Sequence, residues 1–146
     1  MNYSRVALAA LAATIVDAVV GYLVYGVLLA GSFAGYPAVY RSAEAGAAYL
    51  PGMFVGVFAG LLVAAYIYAK GYEGGAGVGE GVRFGVLLGV FVAAIFVGVN
   101  YATLNIGLAH SLVLAGAALI EWTILGAVIG LVYKPAAAPS RRPAGV

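Results

Sequence analysis

Four runs of apolar residues, each long enough to reach across a bilayer, constrain this chain more than any other feature in it. A membrane-crossing helix needs about 20 mostly apolar residues. The runs at about 6–30, 47–70, 82–102 and 110–133 meet that length. They are continuous, whereas strands of an outer-membrane barrel alternate apolar and polar residues. The stretches between them are short or glycine-rich: "GSFAGYPAVYRSAEAG", "GYEGGAGVGEG" and "TLNIGLA". The expected fold is an all-α membrane protein, a four-transmembrane-helix bundle filling residues 1–134 as one domain. The Pro- and Ala-rich end, 135–146, is expected to be a disordered tail.

Composition supports this class. Of the 146 residues, 65% are hydrophobic and 8% charged, and the mean hydropathy is +1.09. Soluble domains carry about 25% charged residues, so a water-facing surface cannot be built from this alphabet. The lipid bilayer is the expected surrounding partner. The formal net charge is only +2 and its basic residues form no patch, which argues against nucleic acid. Cys is absent, which removes disulfides, thiol redox chemistry and Cys-based metal sites. The first run could suggest a cleaved signal, but it is longer than a signal core, holds Asp17 and has no clean A-x-A site. It reads as a span.

Basic residues near span ends set the expected direction. With four spans, both termini share a side with the loop between the second and third. That side holds Arg5, Lys70, Arg83, Lys134, Arg141 and Arg142, against Arg41 alone on the other. Both termini are therefore expected in the cytoplasm. Tyr3, Tyr68, Tyr72, Phe84 and Tyr133 fall near one interface, and Tyr36, Tyr40, Tyr49 and Tyr101 near the other.

Glycines recur at a spacing of four. The second run has Gly52, Gly56 and Gly60, the third Gly81, Gly85 and Gly89, and the fourth Gly126 and Gly130. Such ladders lie along one helix face and let backbones approach closely, the main source of helix association in lipid. Packing within the chain is the first expectation, and packing between chains of a homo-oligomer the second. "GMFVGVFAGLLVAA" from Gly52 echoes "GVRFGVLLGVFVAA" from Gly81, although a biased alphabet produces such echoes easily. The stretch "GYEGGAGVGEG" lacks the phosphate-loop pattern and reads as a flexible connector.

The polar residues inside the runs carry the functional question. Glu121 lies eleven residues from His110, roughly 16 Å below that end of its span. Asp17 lies about as deep from the opposite end of the first span, so both acids reach the expected midplane. An Asp at a helix centre costs about 2.5–3.5 kcal/mol on insertion scales, and no Lys or Arg stands at that depth. At least one acid is expected to be protonated, with Tyr22, Tyr25, Thr14 or Thr123 as hydrogen-bond neighbours. His110 shares a face with Glu121, and Ala117 between them leaves space. Asn100, Asn105 and His110 then extend a polar track toward the outer surface. His110 also reads as an interfacial residue, Asn100 and Asn105 as cap and loop residues, and the acids as a structural hydrogen-bonded pair. Trp122, at mid-depth, departs from the aromatic belts and fits a packed interior or a subunit contact.

With one His and no Cys, ligands for a metal centre are lacking, no cofactor is implied, and no Ser–His–acid set has suitable spacing. The chain is not expected to be an enzyme.

Several stretches carry a resemblance: "ALAATIVDAVVGYLVYG", "YAKGYEGGAGVGEGVRFGVLLGVFVAA", "NYATLNIG" and "EWTILGAVIGLVYKP". The chain resembles a family of small prokaryotic four-helix integral membrane proteins catalogued only as a domain of unknown function. The resemblance implies the four-span fold and brings no activity. Three functions stay open: small-scale transport or permeation through a midplane carboxyl pair, a structural or accessory subunit of a larger membrane complex, and a lipid- or quinone-binding bundle using Trp122 and the tyrosines.

Overall fold

The structure is a computed structural model that describes residues 1–74 and 77–133. The expected tail at 135–146 and the basic residues Lys134, Arg141 and Arg142 lie outside the described residues. Among those described, the chain is helical and has no strand. Helix α1 (Tyr3–Gly21) runs on through a π-helical stretch, Tyr22–Leu28. Two short helices follow, α2 (Ala30–Ala34) and α3 (Ala43–Ala47), and then the long α4 (Leu50–Lys70). Helix α5 (Gly77–Val92) continues through a π stretch, Ala93–Val97, into α6 (Gly98–Thr103). The last helix is α7 (Gly107–Val132).

These make four helices long and apolar enough to cross a membrane: span 1, Tyr3–Leu28; span 2, Leu50–Lys70; span 3, Gly77–Thr103; and span 4, Gly107–Val132. Local signals set their ends. The Asn2 side chain accepts from the Arg5 amide at 3.2 Å and caps α1, while Pro51 stands in the first turn of α4. Gly107, at φ +69°, turns the chain sharply between α6 and α7, a conformation that costs other residues strain. Span 3 departs from expectation. Its helix begins at Gly77, so "GVGEG" is helical rather than part of a loose connector. Glycine is a poor helix former, yet Gly77 and Gly81 lie directly on the Gly130 and Gly126 backbone of α7. Close packing overrides propensity there.

The spans pack in the order 2–1–4–3. Span 1 touches both span 2 and span 4, and span 3 lies along span 4. We refer to the end holding Tyr3, Lys70, Gly77 and Tyr133 as the terminal end, and to the other as the distal end. At the terminal end, Val6, Ala9, Ala10 and Ala13 of span 1 meet Leu61, Ala64, Ala65 and Tyr68 of span 2 and Leu125 and Ile129 of span 4. Alanines let these helices close up without glycine. Toward the distal end, span 2 leaves its neighbours, and between Leu50 and Gly60 only Val57 is even half-buried.

The glycines divide accordingly. A methyl group on Gly81, Gly85, Gly126 or Gly130 would run into the backbone of the facing helix, and one on Gly89 would stand 3.0 Å from the Leu119 Cα. The expectation of in-chain packing does not extend to Gly52, Gly56 and Gly60, where an added methyl would meet nothing within 4 Å. The reason is that span 2 diverges from the group over that half.

Candidate functional site

Asp17 lies fourteen residues after Tyr3 and eleven before Leu28; Glu121 lies fourteen after Gly107 and eleven before Val132. The two helices run in opposite directions, so both acids stand near the centre of the spans. They are half-buried and stand beside each other between spans 1 and 4, close enough for their carboxyl groups to interact. Gly21, one turn beyond Asp17, leaves room: a methyl there would sit 3.5 Å from Glu121 Oε1.

Tyr25 completes the group, its hydroxyl donating to Glu121 Oε2 at 2.8 Å. It stands in the π-helical stretch, where the Leu29 amide bonds to the Val24 carbonyl at 2.8 Å, five residues back. The wider turn changes the angular position of the residues after Gly21 and brings the Tyr25 ring to face span 4. Such π segments are frequent at functional sites. The other expected neighbours do not take part. Thr14 and Thr123 donate to carbonyls of their own helices, Ala10 at 2.8 Å and Leu119 at 2.6 Å, and Tyr22 is exposed.

A second polar group lies at the distal end. His110, in the first turn of α7, is only 3% exposed and so is enclosed by the chain itself. Its Nδ1 is 2.7 Å from Ser32 Oγ and its Nε2 is 3.1 Å from Tyr40 Oη. A neutral imidazole donates through one nitrogen and accepts through the other, while an imidazolium donates through both. The two hydroxyls satisfy either form. Phe33, Tyr36 and Tyr40 surround the ring, with centroids 5.3, 4.8 and 5.6 Å away. Burial, with Tyr36 beside it, pushes the Tyr40 phenol above its ordinary range, so it stays protonated.

Sequence reasoning missed this cap, since Ser32, Phe33, Tyr36 and Tyr40 all come from the loop between spans 1 and 2. The available signal is the density of aromatic residues there, which an interfacial belt explains equally well. The expected polar track is also interrupted. Phe33 stands between the groups, 6.3 Å by ring centroid from Tyr25 and 5.3 Å from His110. Ala117 is buried on the face between His110 and Glu121. Asn105 is exposed in the turn before α7, Asn100 receives the Leu104 amide through its carbonyl at 2.8 Å, and no side-chain hydrogen bond joins either to His110 or the acids. Trp122 packs against the three-span core.

No family model, curated protein or solved structure matches this chain.

Proposed function

We propose that the chain is an integral protein of a prokaryotic cytoplasmic membrane, both termini cytoplasmic, which moves protons or small cations through the Asp17–Glu121 carboxyl pair. The observation that carries this reading is that two neighbouring acids on antiparallel spans stand at the same central depth, with the Tyr25 hydroxyl donating to one of them. A shared proton lowers the charge that must be kept in an apolar surrounding, where each lone carboxylate costs about 2.5–3.5 kcal/mol. It also leaves one site that gains or loses a proton as a unit. Tyr25 holds Glu121 while that proton exchanges. Phe33 closes the distal approach, so passage from that side requires its ring to swing away from Tyr25 and His110.

The test is proton flux into proteoliposomes under an imposed pH gradient, comparing wild type with Glu121→Gln. The substitution keeps shape and hydrogen-bonding capacity and removes the titrating proton. Wild type should conduct above empty liposomes, and the folded variant should fall to their baseline. Wild-type flux no greater than that of empty liposomes overturns the reading. The second reading, a non-catalytic subunit of a larger membrane complex or a homo-oligomer, draws on the open face of Gly52, Gly56 and Gly60. A stable partner or second copy co-purifying in mild detergent would support it.

A further inference from the structure

Spans 2 and 3 stand at opposite ends of the packing order and approach each other at the terminal end, where the Tyr68 and Phe84 rings meet at 5.4 Å. Beside that contact lies a cavity of about 310 Å³. Ile67, Phe84 and Leu87 form its apolar wall, and Glu73, Glu80 and Arg83 its polar rim. We propose that this cavity binds a zwitterionic glycerophospholipid whose headgroup carries a primary ammonium, its phosphate on Arg83 and its ammonium on Glu73. The assignment is independent of the proton reading, because it uses other residues at another depth.

Position comes first. Arg83 lies six residues into span 3, roughly 9 Å along the helix from Gly77, near enough to the terminal end for its long side chain to reach out to a phosphate at the bilayer surface. Ile67 and Leu87 lead from the rim toward the middle of their spans and are 50% and 70% exposed, an open track for an acyl chain. The charges are also free to engage. Arg83 Nη2 and Glu73 Oε2 are 4.0 Å apart, beyond hydrogen-bond reach, and their side chains are 72% and 76% exposed. A pair of that kind contributes roughly 0–1 kcal/mol and gives way readily to better partners. Buried Glu80 fixes the rim, because its Oε1 accepts the Glu73 amide at 2.8 Å and holds that loop beside Arg83.

The headgroup follows from the balance of charges. Two carboxylates and one guanidinium line the cavity, so a purely anionic headgroup would be repelled as much as attracted. A zwitterion places one charge on each sign. A trimethylammonium cannot donate a hydrogen bond to a carboxylate, and of the two aromatic rings in the lining Tyr68 is almost fully buried and Phe84 half-buried, so little ring face is open to it. A primary ammonium donates directly to Glu73.

The test is native mass spectrometry of the full chain in mild detergent, titrated with phosphatidylethanolamine, phosphatidylglycerol and phosphatidylcholine of equal acyl composition. Phosphatidylethanolamine adducts should exceed the other two by about fivefold, and Arg83→Gln should cut them about tenfold, equivalent to about 1.4 kcal/mol. Glu73→Gln should abolish the preference for phosphatidylethanolamine over phosphatidylglycerol. Both substituted side chains are exposed, so melting temperature should not move. Wild type that binds phosphatidylglycerol or phosphatidylcholine as well as phosphatidylethanolamine overturns the proposal, as does an Arg83→Gln variant that keeps its adducts.

Discussion

Gly81, Gly85 and Gly89 of span 3 and Gly52, Gly56 and Gly60 of span 2 share a spacing and nearly a local sequence, yet they have opposite surroundings. The first set lies against α7 at backbone distance, and the second faces open space. The difference lies in the neighbour. Helix α7 presents Gly126 and Gly130 at the matching interval, so carbonyls and Cα atoms of the two helices interleave. Span 1, the helix beside span 2, presents Val6, Ala9, Ala10 and Ala13 at the terminal end only. A glycine ladder removes an obstacle to close approach, but attraction needs a complementary surface opposite. The spacing of four therefore states a capacity, and only the second helix decides whether it is used.

The strongest way to break this comparison is Gly85→Ala. The new methyl would stand 2.9 Å from the Thr123 Cα and 3.1 Å from the Gly126 Cα, and would run into the Trp122 carbonyl. None of these is the tip of a flexible side chain, so spans 3 and 4 would have to separate along their length. Overpacking typically costs about 1–3 kcal/mol, and the backbone contact puts this substitution at the upper end. Thermal melting in detergent should show a marked loss for Gly85→Ala. Melting at the wild-type temperature would mean that the two helices are not held by this contact.

The same contrast explains what could be read from the sequence. The spans were legible because apolar length alone dictates them, and their ends fall within a few residues of expectation except at Gly77. Glycine-rich text argues for a loop there, and only the α7 backbone opposite makes it helix. Asp17 and Glu121 were legible as a pair because their equal depth follows from counting residues, and Tyr25 because it lies near Asp17 on the same span. The cap on His110 was not. Ser32 and Tyr40 stand 78 and 70 residues away in sequence, in a loop with no periodicity to place it. Which ladder would find a partner was hidden for the same reason.

His110→Ala probes the distal end, where span 4 is tied to the loop that leads into span 2. It removes two hydrogen bonds, each worth about 0.5–1.5 kcal/mol net, and the ring that Phe33, Tyr36 and Tyr40 enclose. A loss of about 2 kcal/mol is expected, less than for Gly85→Ala. Hydrogen exchange should rise in residues 30–49, while the glycine contact between spans 3 and 4 keeps its protection. If exchange rose equally in α5, the cap and the packed ladder would be one cooperative unit, and the division between a tied and a free half of the molecule would fail.

The smallest expected effect sharpens the comparison most. In Gly56→Ala the added methyl meets nothing within 4 Å. Alanine is the better helix former by about 0.8–1.0 kcal/mol in solution, so the variant should melt within about 0.5 kcal/mol of wild type or slightly above it. Measured beside Gly85→Ala in dilute detergent, it isolates surroundings from spacing, since the chemical change is identical and the flanking residues nearly so. A cost approaching that of Gly85→Ala would place a second surface against span 2 that the single chain does not supply. Repeating the melt over a range of protein concentrations would then identify a second copy as that surface, because a loss confined to high concentration marks an interface between chains.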